Sequence, residues 1–347
     1  MTVYVLGAGA SLHAGYPLGS QLRDQLEAWA SRSHSSTFLG PDFRERFSTL
    51  KRIYPSDSFD CVLTDLYERP PASRAASLLA QCPCFLDDLL EAFRQFFREI
   101  YHRETQSQAS PDYERLANLV RPGDVVITFN YDLALERELK RAGLWEIGDG
   151  YGFCVQTDLT PASNVKVLKL HGSINWYRAP IGAPGNVVVG SNFVGERPVL
   201  GVDADMSYLG YKGLRDPAVD NRRLTGTAII MPVAHKKFYY ETSLGREWEC
   251  FWDKLWNRAA SALRACDETV MIGYSLPSAD ERARDLLLCR SNRNARWTVC
   301  CDRDTPCIQE QLRTHGFNSL QNVPASFHEW LGWRSSRPLE RLASEDP

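Results

Sequence analysis

The chain has 347 residues, 44% of them apolar, 24% charged and 11% aromatic, with a formal net charge of −3. That length is ample for a sizeable core in one large or two modest domains. The mild acidity excludes the basic bias of a nucleic-acid or membrane-surface protein, and no apolar run nears the roughly 20 residues of a membrane span.

The first predicted strand is VYVLG at 3–7, and a Gly7-Ala8-Gly9-Ala10-Ser11 turn follows it at once. Two glycines there allow a tight turn and a close backbone approach. The free N–H groups of the next helix would then face a phosphate, with Ser11 as an added hydroxyl donor. A helical pattern follows at 18–29. Residues 31–120 contain no convincing strand and read as helices, notably CFLDDLLEAFRQFFREIYHRE at 84–104.

DVVITFN (124–130) is the second strand, and DLALERELKRAG (132–143) is a helix with Asp132 as candidate N-cap and Gly143 as its stop. Further strands are VKVLKLHG (165–172), TAIIMPV (227–233), ETVMIGYSL (268–276) and RWTVCCD (296–302). Their continuous apolar character is that of strands buried on both faces. Helices are predicted at 247–266 and at 278–290, the latter with Ser278 and Glu281 in capping-box spacing. Strands alternating with helices predict an α/β fold: a Rossmann-like parallel sheet flanked by helices.

The expected organisation is one unit from 1–30 and 120–317, a helical insertion at 31–119 and a tail at 318–347. Within the first unit, the Gly/Pro-rich segment 178–226 is irregular, with room for a short hairpin or a lid. A strand and a ligand turn open the chain, so no signal peptide is expected and the expected location is cytoplasmic. The ten cysteines (61, 82, 84, 154, 250, 266, 289, 300, 301 and 307) form no pair of C-x2-C motifs. Buried thiols are expected and a structural metal site is not.

Four stretches carry chemistry-bearing residues at predicted strand ends. The first is the opening turn. A dehydrogenase-type fingerprint would need glycine at Leu12 and an acidic residue after a second strand about 20 residues on, and the sequence has neither. The second is Thr128-Phe129-Asn130-Tyr131-Asp132, whose Asn and Asp serve either a crevice at the strand ends or simply the turn and helix cap. The third is LKLHG, whose His171 is either a general base or a hydrogen-bonded structural histidine. The fourth is IGYSLPSAD (272–280), with Gly273 and Ser275 suited to phosphate or ribose.

Taken in order, GAGAS with Gly15-Tyr16-Pro17, then Thr-x-Asn-x-Asp, Leu-His-Gly and Gly-x-Ser-Leu resemble the sirtuin-type (SIR2-like) NAD-binding family. The resemblance is to its bacterial antiphage-defence branch, which MPVAHKKFYY (231–240) also resembles. It covers roughly 1–30, 120–177 and 226–317. It implies that Gly7, Ala8, Gly9 and Ser11, with Tyr16 and Pro17, hold the diphosphate side of NAD. It also implies that Thr128, Phe129, Asn130 and Asp132 line the nicotinamide and ribose pocket, that His171 is the base, that Gly273 and Ser275 meet phosphate, and that Asp302 meets the adenosine ribose. His171, Asn130 and Asp132 are the implied catalytic set.

The departures select among activities. Protein deacylases of the family carry Gln where Phe129 stands. They carry an acidic residue, Phe and Arg where LGS (18–20) stands, and a four-cysteine zinc module where 178–226 has no cysteine. Each departure weakens deacylation and leaves NAD binding. The defence branch shares these absences and hydrolyses NAD to nicotinamide and ADP-ribose. The resemblance therefore implies an NADase acting as an NAD-depleting effector, a homo-oligomer working beside an ATPase- or Argonaute-type partner, with no metal, no direct nucleic-acid contact and no membrane contact. An NAD-dependent deacylase or ADP-ribosyltransferase, and a non-catalytic NAD or ADP-ribose sensor, remain the alternatives.

Overall fold

The computed structural model describes residues 1–32, 42–107, 110–153, 162–178, 187–190, 200–203, 227–233, 245–321 and 326–336. Its strands are β1 (Thr2–Leu6), β2 (Val125–Thr128), β3 (Lys166–Lys169), β4 (Gly172–Arg178), β5 (Val187–Gly190), β6 (Leu200–Asp203), β7 (Thr227–Ile229), β8 (Glu268–Ile272), β9 (Arg296–Cys300) and β10 (Leu320–Gln321).

Six of them form a parallel sheet in the order β10-β9-β8-β1-β2-β3. β1 is central, which explains its uninterrupted apolar run: Val3 through Leu6 are all buried. From β1 the chain adds β2 and β3 on one side, and β8 to β10 then extend the other side. The order reverses between β1 and β8. In open α/β sheets that switch point is where a crevice opens beyond the carboxyl ends of the strands. The register brings the strand ends level: Leu6 pairs with Thr128 and with Ile272, Thr128 with Lys169, and Ile272 with Cys300. Residues just after these five therefore emerge along one edge.

Helices cover this sheet: Gly19–Ala30 after β1, Ala134–Arg141 after β2, Gly245–Ala265 before β8 and Thr305–Thr314 after β9. Gly143, at φ +69°, stops the second of these as its sequence suggests. Between β1 and β2 the described residues form helices Phe43–Ile53, Phe59–Glu68, Ala76–Gln81, Phe85–Ser107 and Pro111–Leu119. The longest inserts an aromatic face: Phe97 stacks on Phe93 (4.7 Å) and Tyr16 (5.7 Å), and both phenylalanines meet Tyr131 edge-on.

Four expectations are corrected. The 227–233 run does not join the parallel sheet: Thr227–Ile229 pairs antiparallel with β4 in a second sheet, ordered β5-β6-β4-β7. Only Leu170 and His171 separate β3 from β4, far too few for a parallel crossover. The chain turns out of the first sheet at Gly172, whose φ is +82°. Within 178–226, β5 and β6 pair antiparallel, as the hairpin expectation allowed, whereas a lid there, and residues 234–240 of MPVAHKKFYY, lie outside the described residues.

The predicted helix 278–290 is instead a short α turn, Glu281–Arg284, followed by a π turn, Asp285–Cys289. Its cap is Asp280, not Ser278: the Asp280 carboxylate accepts the Ala283 N–H. The parallel sheet also runs past residue 317, since β10 pairs with β9, and helix Phe327–Ser336 packs against Pro111–Leu119 with Trp330 buried. In the second sheet, Trp176 packs among Tyr151, Phe153 and Trp252. Among the described residues, no helix is long and apolar enough to cross a membrane, and no group of three or more His, Cys, Asp or Glu could hold a metal.

Candidate functional site

The loops after β1 and β8 pack backbone to backbone. Gly7 N–H donates to the Ile272 carbonyl (3.0 Å) and Gly9 N–H to the Gly273 carbonyl (3.0 Å). A Cβ on Gly7 would lie 2.6 Å from the Gly273 oxygen, and one on Gly9 would lie 2.8 Å from the Gly273 Cα. The glycines are thus required by the approach of two strand-end loops to each other. The helix behind Gly7 is a single 3-10 segment, Ala8–Ala14, rather than a long α-helix aimed at the crevice.

Ser11 departs from its expected part. Its buried hydroxyl donates to Asp132 Oδ2 (2.7 Å), accepts from Asn130 Nδ2 (2.9 Å) and lies 2.7 Å from the Tyr113 hydroxyl. A serine has one proton to give, and Asp132 takes it, so Tyr113 must donate. Burial holds the Tyr113 phenol protonated, far above its ordinary pKa. The Ser11 hydroxyl is therefore saturated within the protein and offers no proton to a phosphate. Asn130 is similarly committed: its amide group donates to the Gly7 carbonyl (2.9 Å) as well as to Ser11. It locks the β1 loop to the end of β2.

Asp132 sits in the same knot, with its second oxygen accepting the Ala134 N–H (3.1 Å). It stands before the helix as a turn anchor; Leu133 occupies the cap position. Behind it lies Lys169, fully buried, which donates to the Asp132 main-chain carbonyl and pairs with Glu136 at 2.8 Å. Burial raises the Glu136 pKa and the adjoining ammonium opposes that shift. Thr128 is buried and its hydroxyl accepts the Asn130 N–H (3.0 Å).

His171 follows β3 and is almost wholly enclosed. Its Nε2 lies 3.2 Å from Asp280 Oδ2, with the two side chains 7% and 4% exposed. Tyr274 donates its hydroxyl to the same oxygen at 2.9 Å. Phe129 stacks on Tyr274 (4.1 Å, 18°) and lies 5.0 Å from the imidazole; Tyr131 and Trp256 are each 6.4 Å from it.

Of the remaining expected residues, Ala8 lies half-buried in the β1 loop. Tyr16 and Pro17 are buried, and Tyr16 turns into the helical layer, stacking on Phe97 and donating to Glu104 (3.4 Å). Ser275 is exposed, and Asp302 is exposed just beyond β9 at φ +51°. The structure thus joins Gly7, Gly9, Ser11, Asn130, Asp132 and Gly273, and separately Phe129 and His171, while it turns Tyr16 away. Sequence reading missed Tyr113, Lys169, Glu136, Tyr274 and Asp280. Lys169 stands inside LKLHG, and Tyr274 and Asp280 inside IGYSLPSAD, motifs whose candidate residues were His171, Gly273 and Ser275.

Glu104 caps the edge of this region. It is buried beside Arg137 (2.8 Å) and accepts from Ser110. Burial outweighs these partners and pushes its pKa from 4.5 up to about 7. A carboxyl raised on folding binds its proton more tightly in the native state. Its contribution is complete below about pH 4.5 and is lost as pH rises through 7. Urea unfolding should therefore show Glu104→Gln flattening the decline in stability across that window. An unchanged pH profile would show that Glu104 is not the group responsible.

No protein-family model matches the chain, and no curated protein matches it. Solved structures similar to it include Sir2Tm bound to a propionylated peptide, at 16% identity and a TM-score of 0.41, covering 96% of this chain and 90% of that one. A complex of a Sir2 homolog with NAD is 14% identical with a TM-score of 0.38, covering 90% and 88%. Sir2 in complex with the inhibitor EX-527, 2'-O-acetyl-ADP-ribose and deacetylated p53 peptide is 15% identical with a TM-score of 0.40, covering 96% and 91%.

Proposed function

We propose that this chain is a SIR2-like NAD glycohydrolase that releases nicotinamide and ADP-ribose, and that it serves as an NAD-depleting effector of bacterial antiphage defence. One observation carries the reading. All four motifs that resemble that family fall at level strand ends along one edge of a parallel sheet, beside its switch point.

NAD carries its nicotinamide as a cationic leaving group on an anomeric carbon. Cleavage passes through an oxocarbenium-like state, as in glycoside hydrolysis. The glycosidic C–N bond breaks and its electron pair leaves with nicotinamide. A water oxygen bonds to the anomeric carbon, and its proton passes to a base. In this reading His171 is that base. Asp132, held by Ser11 and the Ala134 N–H, supplies negative potential for the ribose cation. Asn130 fixes the β1 loop against it. Phe129, stacked on Tyr274, gives an apolar wall where deacylases carry Gln.

An unrestrained NADase would poison its own cell, so the reading includes an off state set by homo-oligomer assembly or by a defence partner of ATPase or Argonaute type. Residues 1–30 and 120–317 form the NAD-binding unit in this scheme, and the helical insertion at 31–119 and the segment 178–226 are the candidates to restrain it.

Purified protein incubated with NAD should release nicotinamide and ADP-ribose, followed by chromatography. His171→Ala should lower the rate at least about 100-fold, the lower range for a positioned general base. A normal rate in that variant would sink the assignment. Turnover that requires acetylated peptide would move the reading to a deacylase.

A further inference from the structure

We propose that Asp280 is the positioning residue of His171, holding the proton on Nε2 so that Nδ1 is the nitrogen that accepts the proton from water. The kinetic part of this inference rests on the NAD-hydrolysis reading; the tautomer part does not.

The geometry is that of a built carboxylate. Asp280 Oδ2 faces His171 Nε2 at 3.2 Å and accepts the Tyr274 hydroxyl at 2.9 Å, while Oδ1 accepts the Ala283 N–H. Tyr274 is itself fixed by its stack on Phe129. The loop that returns Asp280 to this place bends at Leu276, a buried, γ-branched residue held at φ +52°. Arg284 clamps the bend by donating to the Leu276 carbonyl (2.9 Å) and to Gln311 (2.8 Å). Strain of this kind persists only where the surroundings over-determine it, and it gathers at functional sites.

A carboxylate can only accept here, so the imidazole nitrogen that faces it is the one bearing hydrogen. The lone pair is then on Nδ1. When Nδ1 takes a proton from water, a bond to hydrogen forms there, the water O–H breaks, and the ring becomes an imidazolium. That cation lies among the Phe129, Tyr131 and Trp256 rings, where burial would oppose it without a facing anion. Asp280 supplies the anion on the opposite nitrogen.

Asp280→Asn separates positioning from capping. Asn and Asp are equally good helix caps, so the variant keeps the size and the Ala283 acceptor and removes the charge. Its kcat should fall at least about 100-fold with KM for NAD within about threefold; Asn in place of the aspartate of a Ser-His-Asp triad costs about 10,000-fold. Tyr274→Phe, which keeps the ring stack and loses one donor, should cost about tenfold and guards against misfolding of the first variant.

The second arm needs no turnover. Ring 15N spectra of the wild type, with His171 assigned by its absence from His171→Ala, should show a protonated Nε2 and an unprotonated Nδ1 near pH 8. Asp280→Asn should give a mixture of tautomers. A wild-type His171 protonated at Nδ1, or an Asp280→Asn variant with full kcat, overturns the proposal. If the wild type cleaves no NAD, the ring spectra alone decide the part played by Asp280.

Discussion

Gly273→Ala should lower stability by about 2–5 kcal/mol and abolish the site. Gly273 sits at φ +62°, and a Cβ there would fall 2.2 Å from the Ala10 nitrogen and 2.5 Å from the Gly9 carbonyl carbon. Those are backbone atoms and cannot rotate aside. Two costs add: a left-handed conformation for a residue with a side chain, about 1–2 kcal/mol, and overpacking, typically about 1–3 kcal/mol. Relief requires the β1 and β8 loops to part, which breaks the Gly9–Gly273 hydrogen bond.

Gly143→Ala separates the two costs. Gly143 is also left-handed, at φ +69°, but nothing lies within 4 Å of its would-be Cβ. It should lose only the conformational part. Urea unfolding of both variants decides the matter, and equal losses would mean that the loop-to-loop contact contributes nothing.

The parallel sheet was legible because its strands are continuous apolar runs, and a run such as Val3–Leu6 admits little else when both faces are covered. The separate sheet of β4 to β7 was not legible. Nothing local in TAIIMPV distinguishes a parallel from an antiparallel partner; the two-residue link at Leu170–His171 decides it. The glycine turns were legible as close approaches, but not what approaches: the neighbour of Gly7 and Gly9 is the backbone at Gly273, more than 260 residues on.

Ser11 and Asn130 were legible as members of one site, whereas their mutual bonds, and the Tyr113 hydroxyl that completes them, depend on a helix that no motif connects to the strand ends. Asp280 stood in plain view within IGYSLPSAD. A carboxylate five residues beyond Ser275 gives no sign, in one dimension, that the left-handed bend at Leu276 brings it back to His171.

Lys169→Met should destabilise the fold by about 3–5 kcal/mol, the usual cost of leaving one member of a buried ion pair alone. Lys169 is fully buried, and its ammonium contacts Glu136 and the Asp132 carbonyl. Methionine replaces the stem with little change of volume, so the loss is electrostatic rather than a cavity. Without the ammonium, the largest influence opposing the burial that raises the Glu136 pKa is gone.

The sign with pH follows. A carboxyl whose native pKa lies above its unfolded value of 4.5 contributes fully below that value and loses ground as pH rises. The deficit of Lys169→Met should therefore be smallest in acid and grow toward neutrality. Lys169→Met combined with Glu136→Gln should recover much of it, because removing both charges avoids the lone buried ion. A deficit independent of pH, or a double variant no better than the single one, would show that Lys169 acts through its bond to the Asp132 carbonyl instead. That bond joins the end of β3 to the turn bearing Asp132, two residues before His171, so loss of NAD cleavage in the refolded double variant would mark Lys169 as the strut between the two halves of the proposed site.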